Sequence, residues 1–172
     1  MLGARVAPEH EPLPRSYPFV AAVHALPCFA PDPQVTFIVG ENGSGKSTLI
    51  EALAIACGFS PQGGPIGGEL GWTPRDSESK LGELLGELLE IERGPNKPSA
   101  GFFLRAESFF NIAAVIDARQ LSEIYGGREL NSQSHGESFL ALAANRFGAN
   151  GLFIFDEPKP RSRSQASWRS SR

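Results

Sequence analysis

Nine residues, "GENGSGKST" at 40–48, constrain this chain more than any other stretch. They follow the apolar run "QVTFIV", and "KSTLIEALAIACGF" from Lys46 reads as a helix, in which Leu49, Ile50, Leu53 and Ala54 recur at helical spacing. Gly40 to Ser47 match G-x-x-x-x-G-K-[ST] between an expected strand and an expected helix, the context that makes the pattern a phosphate-binding loop, or P-loop. Gly40, Gly43 and Gly45 let the backbone turn tightly enough to aim successive N–H groups at phosphate oxygens, and Asn42 and Ser44 complete the loop. The helix start adds a field that favours anions. Lys46 is expected on the β- and γ-phosphates, the Ser47 hydroxyl on Mg2+, and Thr48 near the α-phosphate. A glycine-rich turn that only caps a helix is the alternative, disfavoured because strand, Lys-Ser pair and helix are all in place.

A second stretch, "GLFIFDEP" at 151–158, supplies what such a loop lacks. Leu152 to Phe155 read as a buried strand that ends on the acid pair Asp156-Glu157. With a P-loop upstream, Asp156 is the expected Mg2+ carboxylate and Glu157 the expected general base that polarises the attacking water. Alone, an apolar strand ending in Asp-Glu would read as an ordinary solvated strand end.

Between and around these motifs the chain alternates strands and helices, which predicts an α/β fold with a mostly parallel sheet flanked by helices. Residues 1–18 hold Pro8, Pro12, Pro14 and Pro18 and read as an extended lead-in, with 1–16 outside the folded unit. "FVAAVHAL" and "QVTFIVG" read as strands, and 59–80 as a mobile surface segment rich in Gly, Pro and Ser. "KLGELLGELLEIER" places Leu81, Leu84, Leu85, Leu88 and Leu89 on one helical face despite Gly82 and Gly86. "GFFLRAESFF" reads as a strand passing into a helix, "YGGRELNSQSHG" as a loop, and "ESFLALAANRFG" as a helix.

The net charge of −3 conceals an asymmetry. Lys159, Arg161, Arg163, Arg169 and Arg172 sit in 159–172 without an acid, which leaves residues 1–158 at −8. So acidic a body is a poor surface for nucleic acid, whose binding depends on cations neutralising phosphates. Cys28 and Cys57 make neither a disulfide framework nor a metal spacing, and no apolar run approaches the ~18 residues of a membrane span. A cytoplasmic location is expected.

"GENGSGKST" with a later "DEP" resembles the ABC-type ATPase superfamily. The fuller wording, "VTFIVGENGSGKSTLIEALA" with "GFFLRAESFF" and "SHGESFLAL", looks like a small stand-alone bacterial group of AAA-family or ABC-type ATPases, and the likeness covers residues 17–158. It implies ATP with Mg2+, and a head-to-tail homodimer in which each ATP lies between one P-loop and the partner's signature loop. Ser134 and Gly136 match the signature serine and second glycine, while His135 and Glu137 depart from it. Ser134 also reads as a helix cap with Glu137 at its capping-box position. Arg105 or Glu107 stands where the family's glutamine loop would lie, and no residue matches its switch histidine.

After "DEP" the resemblance leads one to expect further helix and strand, but the chain gives "KPRSRSQASWRSSR". A reading frame shifted by one base permits Glu-Ala-Ala-Leu-Ser after Pro158. Residues 159–172 are therefore expected to be an out-of-frame, disordered tail on an incomplete domain. A genuine basic tail is the rival. Four functions remain in view: a soluble dimeric ATPase with an unknown effector protein, a transporter's ATP-binding subunit, a DNA-repair or chromosome-maintenance head, and a nucleotide-binding remnant that does not hydrolyse.

Overall fold

The computed structural model describes residues 3–7, 29–67, 80–95, 98, 100–106 and 108–157. Five strands occur among them: β1 (Gly3–Val6), β2 (Gly64–Pro65), β3 (Leu89–Glu92), β4 (Ala100–Arg105) and β5 (Gly151–Asp156). Four α-helices accompany them: α1 (Lys46–Ala56), α2 (Lys80–Leu88), α3 (Phe109–Ala118) and α4 (His135–Arg146). The strands form a three-stranded sheet in the order β2-β4-β5 and a separate β1-β3 pair.

The fold class is α/β, but the sheets are mixed. β4 and β5 run parallel, from Ala100↔Gly151 to Arg105↔Asp156, whereas β2–β4 and β1–β3 are antiparallel. "GFFL" and "LFIF" are near-continuous apolar runs because this sheet is covered on both faces. Phe102 and Leu104 pack with Ile112, Ile116, Tyr125, Leu130 and Leu142, and Phe153 and Phe155 join them. On the opposite face Phe103 packs with Ala54, Cys57 and Phe59, joined by Leu152 and Ile154. The alternation along each strand thus sends α1 to one face and α3 with α4 to the other.

Helix α1 begins at the expected Lys46 and ends before Gly58, whose φ of 97° is a left-handed stop. Its neighbour α2 explains the two glycines that interrupt its leucine pattern. A Cβ on Gly86 would lie 2.7 Å from Ile55 Cγ2, and one on Gly82 would lie 2.5 Å from Glu51 Cδ. Both glycines are therefore sites of close helix approach, one turn apart on α2 and facing residues one turn apart on α1.

Four expectations change. The start of the lead-in, Gly3–Val6, is a strand paired with β3, and Ala4 and Val6 are buried. The helix expected through Arg93 stops at Leu88, and the next four residues form β3 because they find β1 as a partner. Part of the segment expected to be mobile surface is core: Phe59 is buried and Gly64–Pro65 pair with β4. Most consequentially, "QVTFIVG" is not a strand. Residues 34–40 make no sheet pairing among the described residues, and Val35, Phe37 and Val39 are exposed. The expected strand at "FVAAVHAL" and the tail at 159–172 lie outside the described residues. No described helix is long and apolar enough to cross a membrane.

Candidate nucleotide site

The loop that the glycines permit is built as its sequence requires. Gly43 and Gly45 have φ of 80° and 86°, left-handed values that side chains resist, and Gly45 is the N-cap of α1. Gly40 serves by smallness, since a Cβ there would come within 2.9 Å of Ser44 Oγ. Ser44 N–H donates to the Glu41 carbonyl, closing the turn. Lys46 Nζ bends back over the loop, donating to the Glu41 carbonyl and, at 3.4 Å, to Ser44 Oγ. Asn42 and Thr48 lie in the same loop and first helical turn.

The two motifs meet. Ser47 Oγ donates to Asp156 Oδ1 at 2.9 Å, a contact spanning 109 positions in sequence. Asp156 sits at the end of β5 with only 8% of its surface exposed. A hydroxyl and a carboxylate at this spacing are hard oxygen donors of the kind Mg2+ takes, one or two from protein and the rest from phosphate and water. Among the described residues no cluster of three or more His, Cys, Asp or Glu offers a closed metal cage. The Ser47 hydroxyl and the Asp156 carboxylate are donors that fit Mg2+.

Glu157, the expected base, is exposed and holds φ of 47°. For a non-glycine residue that is a strained conformation, of a kind that concentrates at functional sites. It turns Glu157 out of the line of β5.

Behind Asp156 lies a cluster that the sequence alone did not suggest. Arg105 ends β4 and pairs in register with Asp156. Its Nη1 lies 3.4 Å from Glu51 Oε1 on α1 and donates to the Pro61 carbonyl at 3.2 Å. Its Nε lies 3.8 Å from Asp156 Oδ2, and that buried N–H has no hydrogen-bond acceptor. Arg105 is thus a half-buried link between two carboxylates. Glu107, its alternative at the glutamine-loop position, lies outside the described residues. Glu51 is 2% exposed, and its place inside the apolar run "LIEALAIA" conceals it in the sequence. The available signal was its spacing: Glu51 is four residues after Ser47 and so shares its helix face.

Ser134 is the N-cap of α4 in a full capping box. Its side chain accepts from Glu137 N, and its backbone N–H and hydroxyl both donate to the Glu137 carboxylate. Those donations hold the Glu137 carboxyl below its usual range. The turn before it is fixed by Asp117, which accepts from Leu130 N and Asn131 N, and by Ser138 Oγ, which donates to the Leu130 carbonyl. A Cβ on Gly136 would meet nothing within 4 Å. Among the described contacts, Ser134 and Gly136 make none to the P-loop of their own chain.

Comparison with known proteins matches the family model of the AAA domain over residues 19–106, half of the chain. That span contains the whole P-loop, Glu51 and Arg105, and stops short of Ser134 and Asp156. No curated protein and no solved structure matches.

Proposed function

Because the chain belongs to the AAA domain family, we propose that it binds ATP with Mg2+ at Gly40–Thr48 and Asp156, and that it hydrolyses ATP as an ABC-type head. The observation that carries this reading is the Ser47 Oγ–Asp156 Oδ1 hydrogen bond. A helix cap would not need a buried carboxylate from a strand 109 positions away.

In this reading the backbone N–H groups of Gly43 to Lys46 hold phosphate oxygens, and Lys46 leaves the Glu41 carbonyl for the β- and γ-phosphates. Ser47 and Asp156 would hold Mg2+, which when bound screens phosphate charge and orients the γ-phosphate. Glu157 accepts the proton of a water whose oxygen bonds to the γ-phosphorus as the bridging oxygen departs with ADP. Ser134 and Gly136, at the N-terminus of the twelve-residue α4, would face the γ-phosphate bound by a second copy. A serine used only across a dimer has no need to approach its own P-loop.

The test is binding of a fluorescent ATP analogue, with turnover followed as protein concentration rises. Lys46→Ala should weaken binding by about 10- to 100-fold, the worth of the charge-assisted hydrogen bonds it removes. Turnover per chain should climb with concentration and vanish in Lys46→Ala. Binding untouched by that substitution would refute the site.

A second reading has an observation of its own in the unpaired P-loop lead-in at 34–40 and the exposed Glu157. It is a chain that binds ATP without efficient hydrolysis. Tight Mg2+-dependent binding with no turnover at any concentration selects it.

A further inference from the structure

In the ATPase reading Ser134 acts across the dimer, so whatever fixes its place decides whether it can act. Its own P-loop does not, since its described hydrogen bonds run to Glu137. Nor does the loop before it supply much stiffness. Gly126 and Gly127 open that loop with φ of 105° and 78°, and Asn131 and Ser132 are exposed.

The support arrives at one residue, Leu130. It begins a short helical turn, Leu130–Ser132, and its side chain is buried with Ile112, Ile116 and Leu142. The Leu130 N–H donates to Asp117 Oδ1 at 2.9 Å, and the Asn131 N–H donates to Asp117 Oδ2 at 2.9 Å. One carboxylate therefore takes the first two N–H groups of the turn, which have no acceptor inside it. The Leu130 carbonyl accepts from Ser138 Oγ at 2.6 Å, and that buried hydroxyl also lies 3.0 Å from the Ser134 carbonyl. Leu130 is thus held by its N–H, its carbonyl and its side chain. Ser134 follows four positions later, through a turn in which the Gln133 N–H donates to the Leu130 carbonyl at 3.3 Å.

Asp117 holds this turn from the far end of α3. The helix starts four positions after Arg105, at the edge of the sheet where Arg105 pairs with Asp156, and its length is about 15 Å. A charged acceptor makes hydrogen bonds roughly twice as strong as a neutral one, so among the described contacts this carboxylate is the firmest hold on the loop.

Resting on the dimeric ATPase reading above, we propose that Asp117 is a positioning residue for Ser134: through the backbone of Leu130 and Asn131 it presents the Ser134 hydroxyl to the γ-phosphate bound by a second copy. There the hydroxyl turns from the Glu137 carboxylate to a phosphate oxygen. Ser138 completes the placement from the α4 side. Neither Asp117 nor Ser138 touches the nucleotide, so both act only through Ser134.

The experiment follows dimer formation by sedimentation with Mg2+ and a saturating, non-hydrolysable ATP analogue, and measures affinity for a fluorescent ATP analogue on dilute, monomeric protein. Asp117→Asn keeps the shape of the side chain and replaces one acceptor oxygen by an NH2 group that cannot accept. It should raise the dimer dissociation constant by about tenfold, the lower end for one hydrogen bond to a charged group. Affinity of the monomer should stay within about twofold, because the P-loop is untouched. Ser134→Gly removes the hydroxyl, keeps a residue that suits the N-cap, and should itself weaken the dimer. In that background Asp117→Asn should cost no more than about twofold, since the group it positions is gone. A merely structural carboxylate would weaken the dimer equally in both backgrounds. Ser138→Ala releases the Leu130 carbonyl and should repeat the pattern of Asp117→Asn. An unmoved dimer constant in Asp117→Asn or in Ser134→Gly, equal losses in the two backgrounds, or a parallel loss of monomer affinity overturns the proposal. If Asp117→Asn does not fold, Ser138→Ala is read by the same criteria. A parent chain that binds the analogue and stays monomeric overturns the dimer reading along with this inference, whereas a parent dimer indifferent to Asp117→Asn overturns this inference only.

Discussion

Replacing Gly82 by alanine sets two effects of opposite sign against each other. Intrinsic helix propensity favours alanine by about 1 kcal/mol inside a helix such as α2. Against it, the new methyl would sit 2.5–2.8 Å from three atoms of Glu51, a side chain 2% exposed and ion-paired to Arg105. Overpacking a close contact costs about 1–3 kcal/mol, and parting a buried ion pair costs about 3–5 kcal/mol when it is complete. Partial displacement of Glu51 then makes Gly82→Ala destabilising by about 2 kcal/mol overall. In a Glu51→Ala background the three obstructing atoms are gone, so the same substitution should stabilise by about 1 kcal/mol. The coupling between the sites is therefore about 3 kcal/mol, measurable by urea unfolding of the four proteins in a double-mutant cycle. Gly86→Ala serves as the contrast, because its methyl would meet Ile55 and the Ala52 carbonyl, so its cost should not depend on Glu51. Stabilisation by Gly82→Ala in the parent, or additivity within about 0.5 kcal/mol, would refute this close packing of α2 on α1 through Glu51.

Two pH effects follow from the described environments. The Glu137 carboxyl is held below its usual 4.5 by donation from Ser134, so its stabilisation of α4 is present above that value and is lost as pH falls through the lower folded one. Thermal midpoints between about pH 6 and pH 3 should fall further for the parent than for Glu137→Gln, and equal slopes would exclude the effect. Burial pushes the Cys57 thiol above its usual 9.0, with Arg93 pulling weakly the other way. The folded state is therefore favoured fully below pH 9.0 and progressively less as pH rises through the folded value. In a Cys28→Ser variant, an aromatic disulfide reagent at about pH 8 should label Cys57 slowly until denaturant is added; immediate labelling of native protein would contradict its burial.

Much of the site was legible because its residues carry their geometry with them. Gly43 and Gly45 announce left-handed backbone, and Lys46-Ser47 announce a helix start beside phosphate. The apolar runs of β4 and β5 announced strands, and they formed. What the sequence could not convey was partnership. The leucine period of α2 continues into Leu89 without a break, yet β1 captures Leu89–Glu92 as a strand. "QVTFIVG" has strong strand character and stays unpaired, because β propensity describes how a segment suits a sheet and not whether a neighbour is at hand. Glu51 was hidden for a related reason: the chemistry of a buried carboxylate is decided by Arg105, 54 positions further along and on another element.

The unpaired lead-in at 34–40 bears on the energetics of whatever enters the loop after it. The loop is anchored on its α1 side, by the helix and by Ser47, while its approach carries no sheet hydrogen bonds among the described residues and exposes Val35 and Phe37. A binding loop supported from one side must acquire part of its order from its guest, and fixing each backbone residue costs about 1–2 kcal/mol of entropy. Affinity here is then the remainder left after local folding, with a favourable enthalpy largely offset and a negative heat-capacity change if those apolar side chains become covered. A neighbouring strand that organised residues 34–40 in advance would tighten nucleotide binding without touching the nucleotide.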